Sequence, residues 1–284
     1  MNYIYLIITV ILISSQNVTS KECMKRNPGV NVYIYSAVLT FTALLFFVVN
    51  SKFKLSFEPA VIPYSVGFAV SYATSLAGNV MAIRKGPLSL TSLVLSYSLI
   101  IPTLYGIFFL GNTPTVFSYV GIVLLLISLY MINIKDEDMK FTPSWIFFVV
   151  LSFIGNGMCS TIQTIQQRVF EKAYKNEFMV VALAVVVIIL LVAGVFGTKD
   201  KKDRKTFTDC LPYAPIQGLV NGIVNYFVMV LTSLIAPAIM FPTISAGGIV
   251  CTFILSVTVY KEKLTKPQLV GYAIGVMSII LLNI

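Results

Sequence analysis

The sequence predicts an all-α membrane protein: ten transmembrane helices arranged as two inverted five-helix repeats. Three observations predict it. Hydrophobic residues make up 57% of the 284 and charged residues 11%, against roughly a quarter charged in soluble domains, so the lipid bilayer is the expected surroundings of most of the chain. Apolar runs of about 20 residues, the length that crosses a hydrocarbon core at 1.5 Å per residue, recur from end to end. The chain also aligns with itself at an offset of 150 positions.

In order, the expected spans are 3–20, 31–50, 60–83, 87–110, 115–134, 144–167, 178–197, 211–234, 237–260 and 267–284. A closed β-barrel needs shorter, alternating segments, so the spans are helices. Every acidic residue falls in a loop or within about a turn of a span end, from Glu22 to Glu262. The first run competes with a cleaved signal peptide. No basic residue precedes it and no small-x-small site closes it, so a retained helix is expected. Asn17-Val18-Thr19 matches a glycosylation acceptor in form only, since it sits at the end of that span.

Several function classes drop out. The net charge is +9, but the basic residues sit in short loops and are not interleaved with aromatics on a soluble surface, so nucleic acid is not an expected partner. With the N-terminus outside, the inside loops hold fifteen Lys and Arg and the outside loops five, which places both termini outside. There is no histidine, which removes the commonest general base and metal ligand. Cys23, Cys159, Cys210 and Cys251 have no metal-site or redox spacing. No pair of mid-membrane carboxylates and no nucleophile beside a base is visible. An enzyme is not expected, nor a cofactor.

The repeat sets the architecture. Residues 87–134 lie on 237–284 without a gap, pairing Pro87 with Pro237, Thr115 with Thr265, Gly121 with Gly271, Ser128 with Ser278, and Asn133-Ile134 with Asn283-Ile284. Earlier, an offset of 147 pairs Gln16 with Gln163, Lys21 with Arg168, and Lys25 with Lys172. The chain is thus expected to hold one five-helix repeat at 1–134, a charged linker KDEDMKFT at 135–142, and a second repeat at 143–284. An odd number of spans per repeat inverts one half relative to the other.

Polar side chains fall in rows on some of these helices. Gln217, Asn221 and Asn225 are four residues apart, which keeps them on one slowly drifting stripe of a helix. The offset of 150 relates Asn221 and Asn225 to Ser71 and Ser75, and Asn79 extends that row. Asn156, Ser160, Gln163 and Gln167 form a third row, and the first helix supplies Gln16. Facing lipid, each amide would be unsatisfied at a cost of several kcal/mol, so the rows face protein or a wet cavity. The competing role is glue between helices, which Gly218 and Gly222, a small-xxx-small pair beside the first row, would also serve. Gly271 and Gly275 suit packing within the protomer or across a homodimer. Lys21 and Arg168 act either as clasps for an anionic group or as topology-setting charges at span ends.

The second half closes YKEKLTKPQLVGYAIGVMSIILLNI. A helix ending near Glu262, a very short loop, Gln268, and a last helix carrying Gly271 and Gly275 resemble the drug/metabolite transporter superfamily in its ten-span EamA-like form. The first half has Asn112 where the second has the acid. The resemblance implies a secondary carrier of a small organic solute. Its cavity would be built mainly from the first, third, fourth, sixth, eighth and ninth helices, and its termini would be cytoplasmic, against the charge count. In four-span multidrug relatives a first-helix glutamate binds protons and cations in turn. Here that helix has VILISSQ, so a neutral or zwitterionic metabolite, amino-acid or sugar-like, is expected as the small-molecule substrate of a multi-pass plasma-membrane protein. The alternatives are a multidrug or organic-cation exporter and a membrane channel or structural membrane protein.

Overall fold

A computed structural model describes residues 2–27, 29–56, 58–110, 115–132, 142–171, 173–196, 212–234, 237–261 and 264–281. The linker at 135–141, the basic stretch at 199–205, Cys210, Asn112 and Glu262 lie outside the described residues. Described helix occupies part of every expected span: α1 (Asn2–Arg26), α2 (Val32–Asn50), α3 (Ile62–Lys85), α4 (Leu88–Ser96), α5 (Ile100–Leu110), α6 (Val116–Ile132), α7 (Pro143–Val169), α8 (Lys175–Phe196), α9 (Tyr213–Leu234), α10 (Pro237–Val259) and α11 (Lys266–Leu281). Among the described residues, six stretches are long and apolar enough to cross a membrane: Ile4–Arg26, Val32–Asn50, Pro59–Lys85, Pro143–Val169, Lys175–Val195 and Tyr213–Leu231. Large apolar side chains such as Phe41, Phe108, Phe147, Ile188 and Val195 face outward, where only lipid makes them favourable.

Local chemistry sets the helix ends. The Asn31 side chain accepts from the backbone N–H of Tyr33 and Ile34, capping α2, and donates to the Gly194 carbonyl on α8 at 3.3 Å. Thr142 caps α7 with Pro143 in its first turn. α4 and α5 are divided by a 3₁₀ turn at Tyr97–Leu99. Pro102 stands four residues after Ser98 and has no N–H to offer the Ser98 carbonyl, so the regular helix is interrupted there.

Small residues then let the helices approach. At Gly155 on α7 an added Cβ would meet the Ser71 carbonyl at 2.7 Å and Ser75 N at 2.8 Å. Ser152 Oγ donates to the Ser75 carbonyl at 2.8 Å, binding α7 to α3. Gly218 and Gly222 face Leu39, Thr42 and Phe46 and bring α9 onto α2, the packing expected of a small-xxx-small pair. α2 also packs on α8, and α6 on α11. In the α6–α11 pair, Ser128 Oγ donates to the Gly271 carbonyl at 2.6 Å and Ser278 Oγ to the Gly121 carbonyl at 2.9 Å. Gly275 lies against the Tyr97 hydroxyl and Ser128, so this glycine face is used inside the protomer. α1, α3, α4, α7, α9 and α10 surround a polar interior.

Candidate functional site

That interior is a cavity of about 250 Å³ lined from α1, α3, α4, the 3₁₀ turn, α7, α9 and α10. Nine of the eleven residues in the expected polar rows line it: Gln16, Ser75, Asn79, Asn156, Ser160, Gln163, Gln217, Asn221 and Asn225. Ser71 does not. Its hydroxyl bonds the Gly67 carbonyl at 3.0 Å, and its own carbonyl lies against Gly155. Among the described residues, no Asp, Glu, Lys or Arg lines the cavity. The described lining therefore offers hydrogen bonds and apolar surface.

Its polar groups are in two states. Asn221 Oδ1 accepts from the Tyr72 hydroxyl at 2.6 Å and from Asn225 Nδ2 at 3.1 Å, while Asn221 Nδ2 donates to Gln16 Oε1 at 2.8 Å. One side chain thereby ties α9 to α3 and α1. Gln217 Nε2 donates to Ser20 Oγ at 2.8 Å, and Gln217 Oε1 accepts from the Tyr35 hydroxyl. Asn156 Nδ2 donates to Ser98 Oγ at 2.7 Å, and Asn17 Nδ2 to Ser92 Oγ at 3.3 Å. Against these stand Gln163 and Thr252, 7% and 1% exposed, whose Nε2 and Oγ1 have no partner among the described residues. Asn79 makes no hydrogen bond among the described residues either.

Several lining residues were not singled out from the sequence. Asn17, Tyr72, Ser92, Ser96, Ser98, Ser245 and Thr252 line the cavity. A signal existed in the spacing of Ser92 with Ser96 and of Ser245, Gly248 and Thr252, the same helical periodicity that marks the amide rows. Asn17 is turned to α4 and the cavity, which agrees with setting aside its glycosylation match. Gln167, the last member of the α7 row, is buried and donates to Gln166 Oε1 outside the cavity.

Lys21 is not an anion clasp in this arrangement. Its Nζ donates to the carbonyls of Ile83 at 3.3 Å and Gly86 at 3.0 Å, satisfying acceptors that the end of α3 leaves open. Arg168, its mate at the offset of 147, is exposed at the end of α7.

Known proteins can now be set beside this geometry. The profile of the EamA-like transporter family matches residues 141–284, just over half of the chain. One solved crystal structure superposes with a TM-score of 0.61 at 12% identity, covering 97% of this chain and 94% of its own, a likeness of fold. No curated protein matches the sequence. Membrane-length apolar helices surround a polar cavity, and on the match to its second half the chain belongs to the EamA-like transporter family, as an integral membrane protein that transports small molecules.

Proposed function

We propose that the protein moves a small neutral or zwitterionic organic metabolite, amino-acid or sugar-like, through the central cavity by alternating access, as a ten-span, multi-pass protein of the plasma membrane. The observation that carries this reading is the convergence of Gln16, Asn79, Asn156, Gln163, Asn221 and Asn225, drawn from both halves, on one cavity without a charged side chain. At about 250 Å³ it is smaller than the roughly 300–1,000 Å³ pockets that hold drug-sized ligands, which favours a metabolite over a multidrug substrate. The reciprocal bonds from Ser128 to Gly271 and from Ser278 to Gly121 support two inverted repeats at 1–134 and 143–284, because the offset of 150 exchanges one bond for the other. Two such halves rocking about a shared site would expose it to each side in turn.

The test is solute movement in reconstituted vesicles. A carrier saturates and shows counterflow, whereas a channel shows neither. With no carboxylate and no histidine in the lining, uptake should be flat between about pH 5 and 8, the range in which histidine and raised carboxylates titrate. Stoichiometric proton countertransport would overturn the uncharged mechanism and direct attention to Glu22 and Glu58 at the helix ends.

A further inference from the structure

We infer that Gln163 and Thr252, joined by Asn79, are the groups that read the solute, and that the solute is a small uncharged amide or lactam with an apolar body. The inference rests on the cavity being the solute path. Asn221, Asn225, Gln217, Asn156 and Asn17 already commit amide atoms to neighbours on other elements or to one another, so part of their bonding capacity is used. Gln163 and Thr252 are more than nine-tenths buried, line the cavity, and leave Nε2 and Oγ1 unpaired. The other buried unpaired side-chain atoms, on Ser36, Gln167 and Gln268, lie off the cavity lining.

Thr252 departs from the local habit. Thr91, Thr161, Thr164 and Thr258 each give their hydroxyl to the carbonyl four residues back, the ordinary way a helical threonine is satisfied. The carbonyl in that position for Thr252 is Gly248, and it accepts instead from Ser14 Oγ on α1 at 3.3 Å. The Thr252 hydroxyl is left without a partner among the described residues.

The chemistry of the free groups defines the ligand. A carboxamide presents a donor beside an acceptor, and its complement is a second edge of the same kind. Gln163 and Asn79 supply such edges and Thr252 a hydroxyl able to act either way. A hexose would bring more hydroxyls than Gln163, Asn79 and Thr252 can pair, and each one buried without a partner is costly. A carboxylate or zwitterion would enter a lining without a counter-charge. The remaining surface, from Ile13, Phe68, Leu76, Val224, Val228 and Ile244, suits an apolar body.

The experiment is a thermal-shift titration of the purified full chain with benzamide, isovaleramide and valerolactam, against benzoate, isovalerate, glucose and sorbitol. At least one amide or lactam should raise Tm, since a ligand of the native state stabilises it by mass action, and the acids and polyols should not. Gln163→Leu and the isosteric Thr252→Val should each weaken the apparent affinity about tenfold, the scale of one lost hydrogen bond, with ligand-free Tm unchanged or raised. A shift with an acid or polyol, no shift with any amide or lactam, or an amide shift that survives both substitutions overturns the inference. Counterflow separates it from the transport reading: an amide that binds through Gln163 and Thr252 but is not carried sinks transport alone. Carriage of a charged or polyhydroxylated solute sinks the inference alone.

Discussion

The amides of α9, and Gln163 on α7 with Thr252 on α10, line the same cavity, yet they are in opposite states. On α9, Gln217, Asn221 and Asn225 are consumed by partners on α1, α2, α3 and their own helix. On α7 and α10, Gln163 Nε2 and Thr252 Oγ1 have no partner among the described residues. The difference teaches that an amide row in a membrane helix can hold the walls of a cavity as readily as it can read what enters. Pairing, and not residue type, separates the two tasks.

The largest effect should come from breaking the paired wall. Asn221→Leu would strand the Tyr72 hydroxyl and Gln16 Oε1 and remove one of two acceptors for Asn225. Leaving buried polar groups unmatched costs about 1–3 kcal/mol apiece where water cannot reach them. We expect thermal unfolding in detergent to report a loss of about 2 kcal/mol, with transport falling because the cavity loses its shape. Full stability with transport abolished would move Asn221 to the reading wall and erase the contrast.

That contrast could not have been drawn from the sequence. The spacing of Gln217, Asn221 and Asn225 selects a helix face because an unsatisfied amide is intolerable in lipid. The residues within bonding reach, Tyr72 on α3 and Gln16 on α1, are set by how α9 packs, and a periodicity contains no such term. Hydroxyls were harder still. The spacing of Ser92, Ser245 and Thr252 is a weaker guide than that of the amides, because a serine or threonine can bond its own helix and so occurs on any face. Ser71 shows the same ambiguity with the opposite result, satisfied by Gly67 and packed against Gly155. The reciprocal serine bonds of α6 and α11 were legible in outline, since Gly121, Ser128, Gly271 and Ser278 kept register across an ungapped 48-residue alignment.

A smaller effect should appear at the ends of the helices that carry Gln16 and Gln163. Lys21 holds the end of α3, whereas Arg168 is exposed. Lys21→Met should therefore lower stability by about 1 kcal/mol, the scale of a cation at a helix C-terminus, and Arg168→Met should stay within about 0.5 kcal/mol, as surface changes usually do. Equal losses in both variants, measured by the same unfolding assay, would show that the two ends are held alike and that the asymmetry stops at the cavity wall.

The smallest change in stability, and the sharpest use of the comparison, is expected at Asn79. It sits on α3 one turn beyond Ser75, on the helix that also provides Tyr72 to the paired wall. It lines the cavity without a hydrogen bond among the described residues. Replacing it with Leu removes no protein contact and strands no partner, so unfolding should move by less than about 0.5 kcal/mol. Transport per folded molecule should nevertheless fall, because the solute loses a donor and an acceptor at once and meets a bulkier apolar wall. α3 would then contain both states within two turns: Tyr72 holding the scaffold and Asn79 meeting the solute. A stability loss as large as that of Asn221→Leu, with transport intact per folded molecule, would instead assign Asn79 to the scaffold and leave recognition to α7 and α10 alone.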